Sequence, residues 1–235
     1  MKSLKAVCFC PNLSIALEEQ IECFLETDAD ILILPEYLLE LTSFVPRVVL
    51  NKFVVFGSRI VDLNNRAYFS DGNAVFYYDK QRLTPWEKHL QPGMNHAVHS
   101  FRGIKIAILI CFDVEFLELS VSLQGKSVDL LVVPAATETE LGFERVGRCA
   151  SARAVELGCA VLTCHLIGTT QNPLIDVNVG EHQLFLPSQS LFQNLERSPI
   201  ASPKNQGPLL REYYLPLDQL RQQRLLAAET NPSIT

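Results

Sequence analysis

The stretch Ile106-Ala-Ile-Leu-Ile-Cys111-Phe-Asp113-Val-Glu115-Phe116 constrains this chain more than any other. Its apolar run is strand-sized and stops abruptly at a thiol, followed by acidic residues that can open a helix. Open α/β sheets place their ligands at the carboxyl ends of strands. A thiol at such a junction also lies near the positive end of the next helix, which lowers its pKa toward the nucleophilic thiolate. Read by itself, a free cysteine such as Cys111 is usually a small core residue, since free cysteines are among the most buried side chains.

Two further segments share the design. Ile31-Leu-Ile-Leu34 is an apolar run closed by Pro35-Glu36, and Ala74-Val-Phe-Tyr-Tyr78-Asp79 is a β-rich run closed by Lys80. Singly, each charge is only a polar residue leaving a strand. Together, a carboxylate, an amine and a thiol end three expected strands in the order Glu36, Lys80, Cys111.

The rest of the chain reads as scaffold for one α/β domain. A length of 235 residues with 48% hydrophobic content is enough to bury a substantial single core. The first residues read as a strand, because their apolar stretch is too short for a signal peptide. Asn12 or Ser14 is expected to cap a helix carrying Leu13, Leu17, Ile21, Phe24 and Leu25 at helical spacing. Leu130–Pro134 and Ala160–His165 read as strands, and between them Glu144–Leu157 reads as a helix stopped by Gly158. Residues 193–208 suggest a surface loop, Leu209–Leu215 a returning strand, and 217–228 a final helix. The domain is expected to span 1–229, leaving 230–235 as a frayed tail. Strands alternating with helices imply a largely buried sheet.

Composition removes several function classes. A net charge of −6 without a basic run argues against nucleic acid as a partner. No apolar segment reaches membrane-spanning length. Seven cysteines, an odd number without secretory features, point to reduced thiols and a cytoplasmic protein. Cys8 and Cys10, with one residue between them, make a poor two-ligand metal clip. His89, His96 and His99 match no common zinc spacing and read as solvated loop residues, so no metal or cofactor is expected.

The quoted segments resemble the nitrilase (carbon–nitrogen hydrolase) superfamily. Its marks are a strand plus Pro-Glu, a Lys-x-x-Leu-x-Pro segment and a Cys-x-Asp followed by Glu-Phe. They correspond here to Leu34-Pro35-Glu36-Tyr37, Lys80-Gln-Arg-Leu83-Thr-Pro85-Trp86-Glu87 and Cys111-Phe-Asp113-Val-Glu115-Phe116. Ala152-Arg153-Ala154-Val155-Glu156 is similar to the family's Arg-Ala-x-Glu helix, and the pattern around Leu184–Leu191 to its late hairpin. The resemblance implies a four-layer α-β-β-α sandwich and an amidase-like hydrolase acting on a small-molecule amide or N-carbamoyl compound. It also implies a homodimer or larger homo-oligomer.

By the same resemblance, Cys111 is the nucleophile that forms a thioester and Glu36 the general base. Lys80 is the oxyanion stabiliser, helped by the backbone N–H of Phe112, while Glu87 orients the lysine and substrate. Lys88, in Lys88-His89-Leu90, is a rival to Lys80, but only Lys80 is followed by leucine, proline and glutamate at the family's spacing. The chain departs from the family in the short segment between Tyr37 and the strand near Phe53, and in His165, where many relatives have asparagine. Both departures suggest a more open pocket, or one completed by a partner subunit. Two alternatives stay open: a cysteine hydrolase of the isochorismatase-like type, and a catalytically silent nitrilase-like binding protein.

Overall fold

Except for half-buried Phe9, the apolar residues of β1 (Leu4–Cys10) are buried on both faces, as expected of an inner strand of a covered sheet. In the computed structural model, which describes residues 3–94, 98–192, 195 and 200–225, β1 lies parallel to β2 (Ile31–Ile33). Next come β3 (Phe53–Val61), parallel to β2, and then β4 (Asn64–Ser70) and β5 (Val75–Asp79), each antiparallel to its neighbour. A late strand, β13 (Leu209–Leu215), pairs antiparallel with the other side of β1 and completes this six-stranded sheet.

A second sheet is built from β6 (Val98–Phe101), β7 (Ile104–Ile108), β8 (Leu130–Ala136), β9 (Ala160–Leu166) and β12 (Gln183–Phe185), in the order β12-β9-β8-β7-β6. A two-stranded ribbon, β10 (Gly168–Thr169) with β11 (Val177–Asn178), lies between β9 and β12 in the chain. The helices are α1 (Leu17–Leu25), α2 (Leu117–Val121), α3 (Glu140–Leu157) and α4 (Leu217–Leu225).

Period-two alternation sorts the layers. Ile31, Ile33, Phe53 and Val55 join Leu130, Leu131, Val132 and Val133 of the second sheet, and Val146, Ala150 and Ala154 of α3, in one apolar cluster. The intervening residues Leu32, Val54 and Phe56 face the other way and pack with Leu17, Ile21, Phe24 and Leu25 of α1. The result is a single-domain α-β-β-α sandwich. A one-sheet reading of the same strand pattern is excluded by the break between β5 and β6, which starts the second sheet.

Several local expectations are corrected. α1 has Ala16 before its first turn, with no side-chain cap. Asn12 instead closes a turn by accepting from the Ser14 N–H at 3.0 Å, and Gln20 holds its main chain. α3 begins at Glu140 instead of Glu144, because Thr139 Oγ1 accepts from the Gly142 N–H at 3.0 Å and caps the helix earlier. Gly158, at φ 59°, ends it as expected. Of the anticipated hairpin near Leu184–Leu191, only β12 pairs with β9, and the chain then enters a turn at Ser190–Phe192. The proposed tail, 230–235, and the end of the final helix lie outside the described residues.

One irregularity in β3 governs the site. The β3–β4 register shifts between Val55 and Ser58, where Gly57 has φ +81°. A Cβ on Gly57 would sit 2.0 Å from the carbonyl oxygen of Pro35, the residue before Glu36. Glycine therefore lets the Pro35–Glu36 backbone approach the bulge, and Ser58 Oγ then accepts from the Tyr37 N–H at 2.9 Å. Gly57→Ala is expected to destabilise the fold by at least about 2 kcal/mol through its positive φ and the contact. Chemical denaturation is the check, and an unchanged midpoint would refute this account of the bulge.

Candidate active site

Each singled-out residue leaves a strand at the same end of the sandwich. Glu36 follows β2, Lys80 follows β5, and Cys111 opens a single 3-10 turn, Cys111–Glu115, after β7. All three line one cleft of about 220 Å³ together with Tyr37, Glu87, Phe112 and Ala136. Lys80 Nζ lies 2.8 Å from Glu36 Oε1 and 2.9 Å from Glu87 Oε2, and all three side chains are almost completely buried. Lys88 is exposed at the end of the Pro85–Glu87 turn and does not line the cleft.

The surroundings hold these groups from several sides. Asn65 Nδ2 donates to Glu36 Oε1 and Glu87 Oε1, both at 2.9 Å. The Tyr37 hydroxyl also donates to Glu87 Oε1, while the N–H and Oγ1 of Thr84 donate to Glu87 Oε2 at 2.9 and 3.0 Å. The Ala136 main chain reaches both of the remaining groups. Its N–H donates to Glu36 Oε2 at 2.8 Å, and its carbonyl accepts from Cys111 Sγ at 3.5 Å. Cys111 adopts φ +43°, a left-handed conformation rare for a non-glycine residue.

Two carboxylates thus face one ammonium, and their environments drive them apart. Burial alone would raise the Glu87 pKa, but Lys80, the Tyr37 hydroxyl and the Thr84 N–H bring it down to about 2. Glu36 moves the other way. Burial raises its pKa, Glu87 adds to the rise, and Lys80 only partly opposes it. Lys80 stays charged, because the pull of Glu36 and Glu87 outweighs its desolvation. Glu87 is therefore held as an ionised partner of Lys80, while Glu36 is shifted toward its protonated form.

The thiol does not behave as its position suggested. Burial pushes the Cys111 pKa well above its ordinary value, Glu36 pushes it further, and Lys80 opposes this incompletely. The following element is a single 3-10 turn without the dipole of a long helix. These influences together hold Cys111 toward the protonated thiol.

Asp113 was legible as part of the cysteine motif, but not as a member of the site. Its carboxylate accepts from the N–H groups of Gln81 at 3.1 Å, Arg82 at 2.7 Å and Ile110 at 3.1 Å, and from the Tyr78 hydroxyl at 2.9 Å. It thereby clamps the segment after Lys80 to the residue before Cys111. Burial raises its pKa to about 6 against the opposing pull of Lys80 and these donors.

The departures and the histidines resolve as follows. No residue of 38–52 lines the cleft among the described residues, so the short segment after Tyr37 adds nothing to its wall. His165 lies behind the wall, fully buried, with Nδ1 3.4 Å from the Oγ1 of Thr137, which does line the cleft. Burial lowers its pKa to about 3, and the ring is neutral. His89 is exposed as expected. His99 is a β6 residue set against Phe69 and Phe76, not a loop residue, and His96 lies outside the described residues. Among the described residues, no group of three or more His, Cys, Asp or Glu side chains is arranged to hold a metal ion. Nor is any described helix long and apolar enough to cross a membrane.

The layered sandwich, with a thiol buried beside paired carboxylates and an ammonium, belongs to the nitrilase-like class of folds. Residues 48–204 match the carbon-nitrogen hydrolase family, and the chain belongs to it. Among curated proteins, it is 31% identical over 152 residues to the probable hydrolase YhcX of Bacillus subtilis (strain 168). That match covers 60% of this chain and 29% of the relative, so the chain spans less than a third of that protein's length. Nit3 of Saccharomyces cerevisiae, a nitrilase-superfamily member, superposes with a TM-score of 0.72 at 17% identity, covering 98% of this chain and 96% of Nit3. An amidase from Nesterenkonia sp. superposes with a TM-score of 0.67 at 20% identity, covering 94% of each chain. These two likenesses concern the fold. The family match favours the nitrilase-like assignment over the isochorismatase-like alternative.

Proposed function

We propose that the protein hydrolyses an amide-type bond of a small molecule through a thioester on Cys111. The observation that carries this reading is the Ala136 main chain, which binds the Glu36 carboxylate through its N–H and the Cys111 thiol through its carbonyl. Base and nucleophile are thereby held at one cleft, with Lys80 fixed against the base.

In the first half-reaction, Glu36 takes the Sγ proton and the sulfur bonds to the substrate carbonyl carbon. The carbonyl electron pair moves onto oxygen, which accepts hydrogen bonds from Lys80 Nζ and the Phe112 N–H. The Phe112 amide is available because the first N–H groups of a helical turn have no partner within it. The oxyanion then collapses, the C–N bond breaks, and protonated Glu36 gives its proton to the departing nitrogen. In the second half, Glu36 takes a proton from water, and the hydroxide oxygen bonds to the thioester carbon. The C–S bond breaks, the acid leaves, and the sulfur recovers its proton. Glu87 holds Lys80 in place and stays ionised throughout.

Intact-mass spectrometry tests the scheme. During turnover of a panel of simple amides, N-carbamoyl compounds, ω-amides and nitriles, the chain should gain the mass of the acyl group, mapped to Cys111. Glu36→Gln should abolish the adduct, because the thiol then keeps its proton. Turnover of an amide with no adduct on Cys111, or an adduct on another cysteine, would overturn the scheme.

A further inference from the structure

Trp86 is the only tryptophan in the chain, and two-thirds of it is exposed. It lines the same cleft as Cys111, on the Pro85–Glu87 turn that delivers Glu87 to Lys80. Phe112, Val146, Leu174 and Ile175 line that cleft as well. Every polar role in the scheme above belongs to another residue, so the exposed indole has no part in the chemistry. The turn does not need it as packing either, because Thr84 and Glu87 hold one another through reciprocal hydrogen bonds. A large apolar side chain left open inside a concave, partly apolar site gains by being covered by a ligand.

We infer that Trp86 is a specificity residue that covers an extended apolar acyl chain, so that the protein favours amides of longer apolar acids over acetamide. This rests on the proposed amide hydrolysis. The cleft is small, which suits a chain of a few carbons lying from the Cys111 sulfur along Phe112 toward the indole. The acyl group, not the leaving nitrogen, is the part fixed by its bond to sulfur in the thioester. A wall that grips it therefore acts through both half-reactions, and the preference should reside mainly in KM.

The single indole makes the test direct. In Cys111→Ala, which cannot turn over, tryptophan emission should shift to the blue and saturate as hexanamide is added. Acetamide at the same concentrations should produce much less change. In the intact enzyme, Trp86→Ala should raise KM for hexanamide about tenfold more than KM for acetamide, the scale of one lost aromatic contact. Trp86→Phe should recover most of the preference.

The inference is overturned if neither amide shifts the emission. It is also overturned if Trp86→Ala lowers kcat/KM for both amides by the same factor, which would make the residue mere support for Glu87. Emission that shifts with protein concentration in the absence of amide would assign the indole to a contact between copies and overturn it too. Because the fluorescence arm needs binding but no chemistry, a blue shift without turnover by the wild type would sink the proposed reaction, and the kinetic preference with it, and leave standing only the contact between Trp86 and the apolar chain.

Discussion

Cys111→Ala is expected to lower turnover by more than about 1000-fold while the protein remains folded, since the proposed scheme forms its acyl bond on this sulfur. The substitution removes one sulfur from a nearly buried position and leaves the backbone in the left-handed conformation that the surrounding turn imposes. Its effect on the thermal midpoint should therefore be small. Circular dichroism and calorimetry on the variant check the fold, and a panel of amides checks the activity. Activity within tenfold of wild type would remove Cys111 from the role of nucleophile. The other cysteines should be dispensable for the chemistry. Cys8, Cys10, Cys159 and Cys164 are buried in the sandwich, Cys23 is exposed, and Cys149 is half-buried on α3.

The second large effect concerns Lys80. Its ammonium is shared between two buried carboxylates, so Lys80→Met should damage activity and stability together. Losing an oxyanion donor typically lowers the rate about 100- to 1000-fold. Removing one partner of a buried ion pair typically destabilises by about 3–5 kcal/mol. Adding Glu87→Gln to Lys80→Met should restore part of the stability, because one stranded carboxylate is then neutral, yet it should restore no activity. That non-additivity distinguishes an electrostatic partner from a space-filling side chain. Lys88→Ala, at an exposed position outside the cleft, should leave both readings near wild type. A loss of rate in Lys88→Ala comparable to that in Lys80→Met would overturn the assignment of the lysine.

The sequence made Glu36, Lys80 and Cys111 visible because each is a reactive side chain placed just where an apolar run stops, and strand ends are punctuated in the primary structure. Glu87 was visible through its spacing from Lys80 in the resembling family. What stayed hidden depends on tertiary partners. Asn65 lies inside an ordinary β4 pattern, and only the pairing of strands brings its amide to Glu36 and Glu87. Ala136 acts through its main chain, which leaves no trace in residue identity. Gly57 reads as an interruption of β3 until the Pro35 carbonyl is seen against it. The state of the thiol was misjudged for a related reason: position along the chain suggests a dipole, whereas depth of burial decides the charge. The early start of α3 was missed because Thr139, its cap, precedes a first turn whose exposed Leu141 falls outside the apolar periodicity.

The unequal count of charges around Lys80 bears on how a reaction cycle would end. A neutral amide meets no barrier in approaching two carboxylates that share one ammonium. The acid that hydrolysis releases is itself an anion at neutral pH, formed beside Glu36 just as that residue becomes ionised again. At such separations in a poorly solvated cleft, the repulsion is strong. Product would be expelled by the same electrostatics that hold Lys80 in place, giving the cleft a direction of traffic without any moving part.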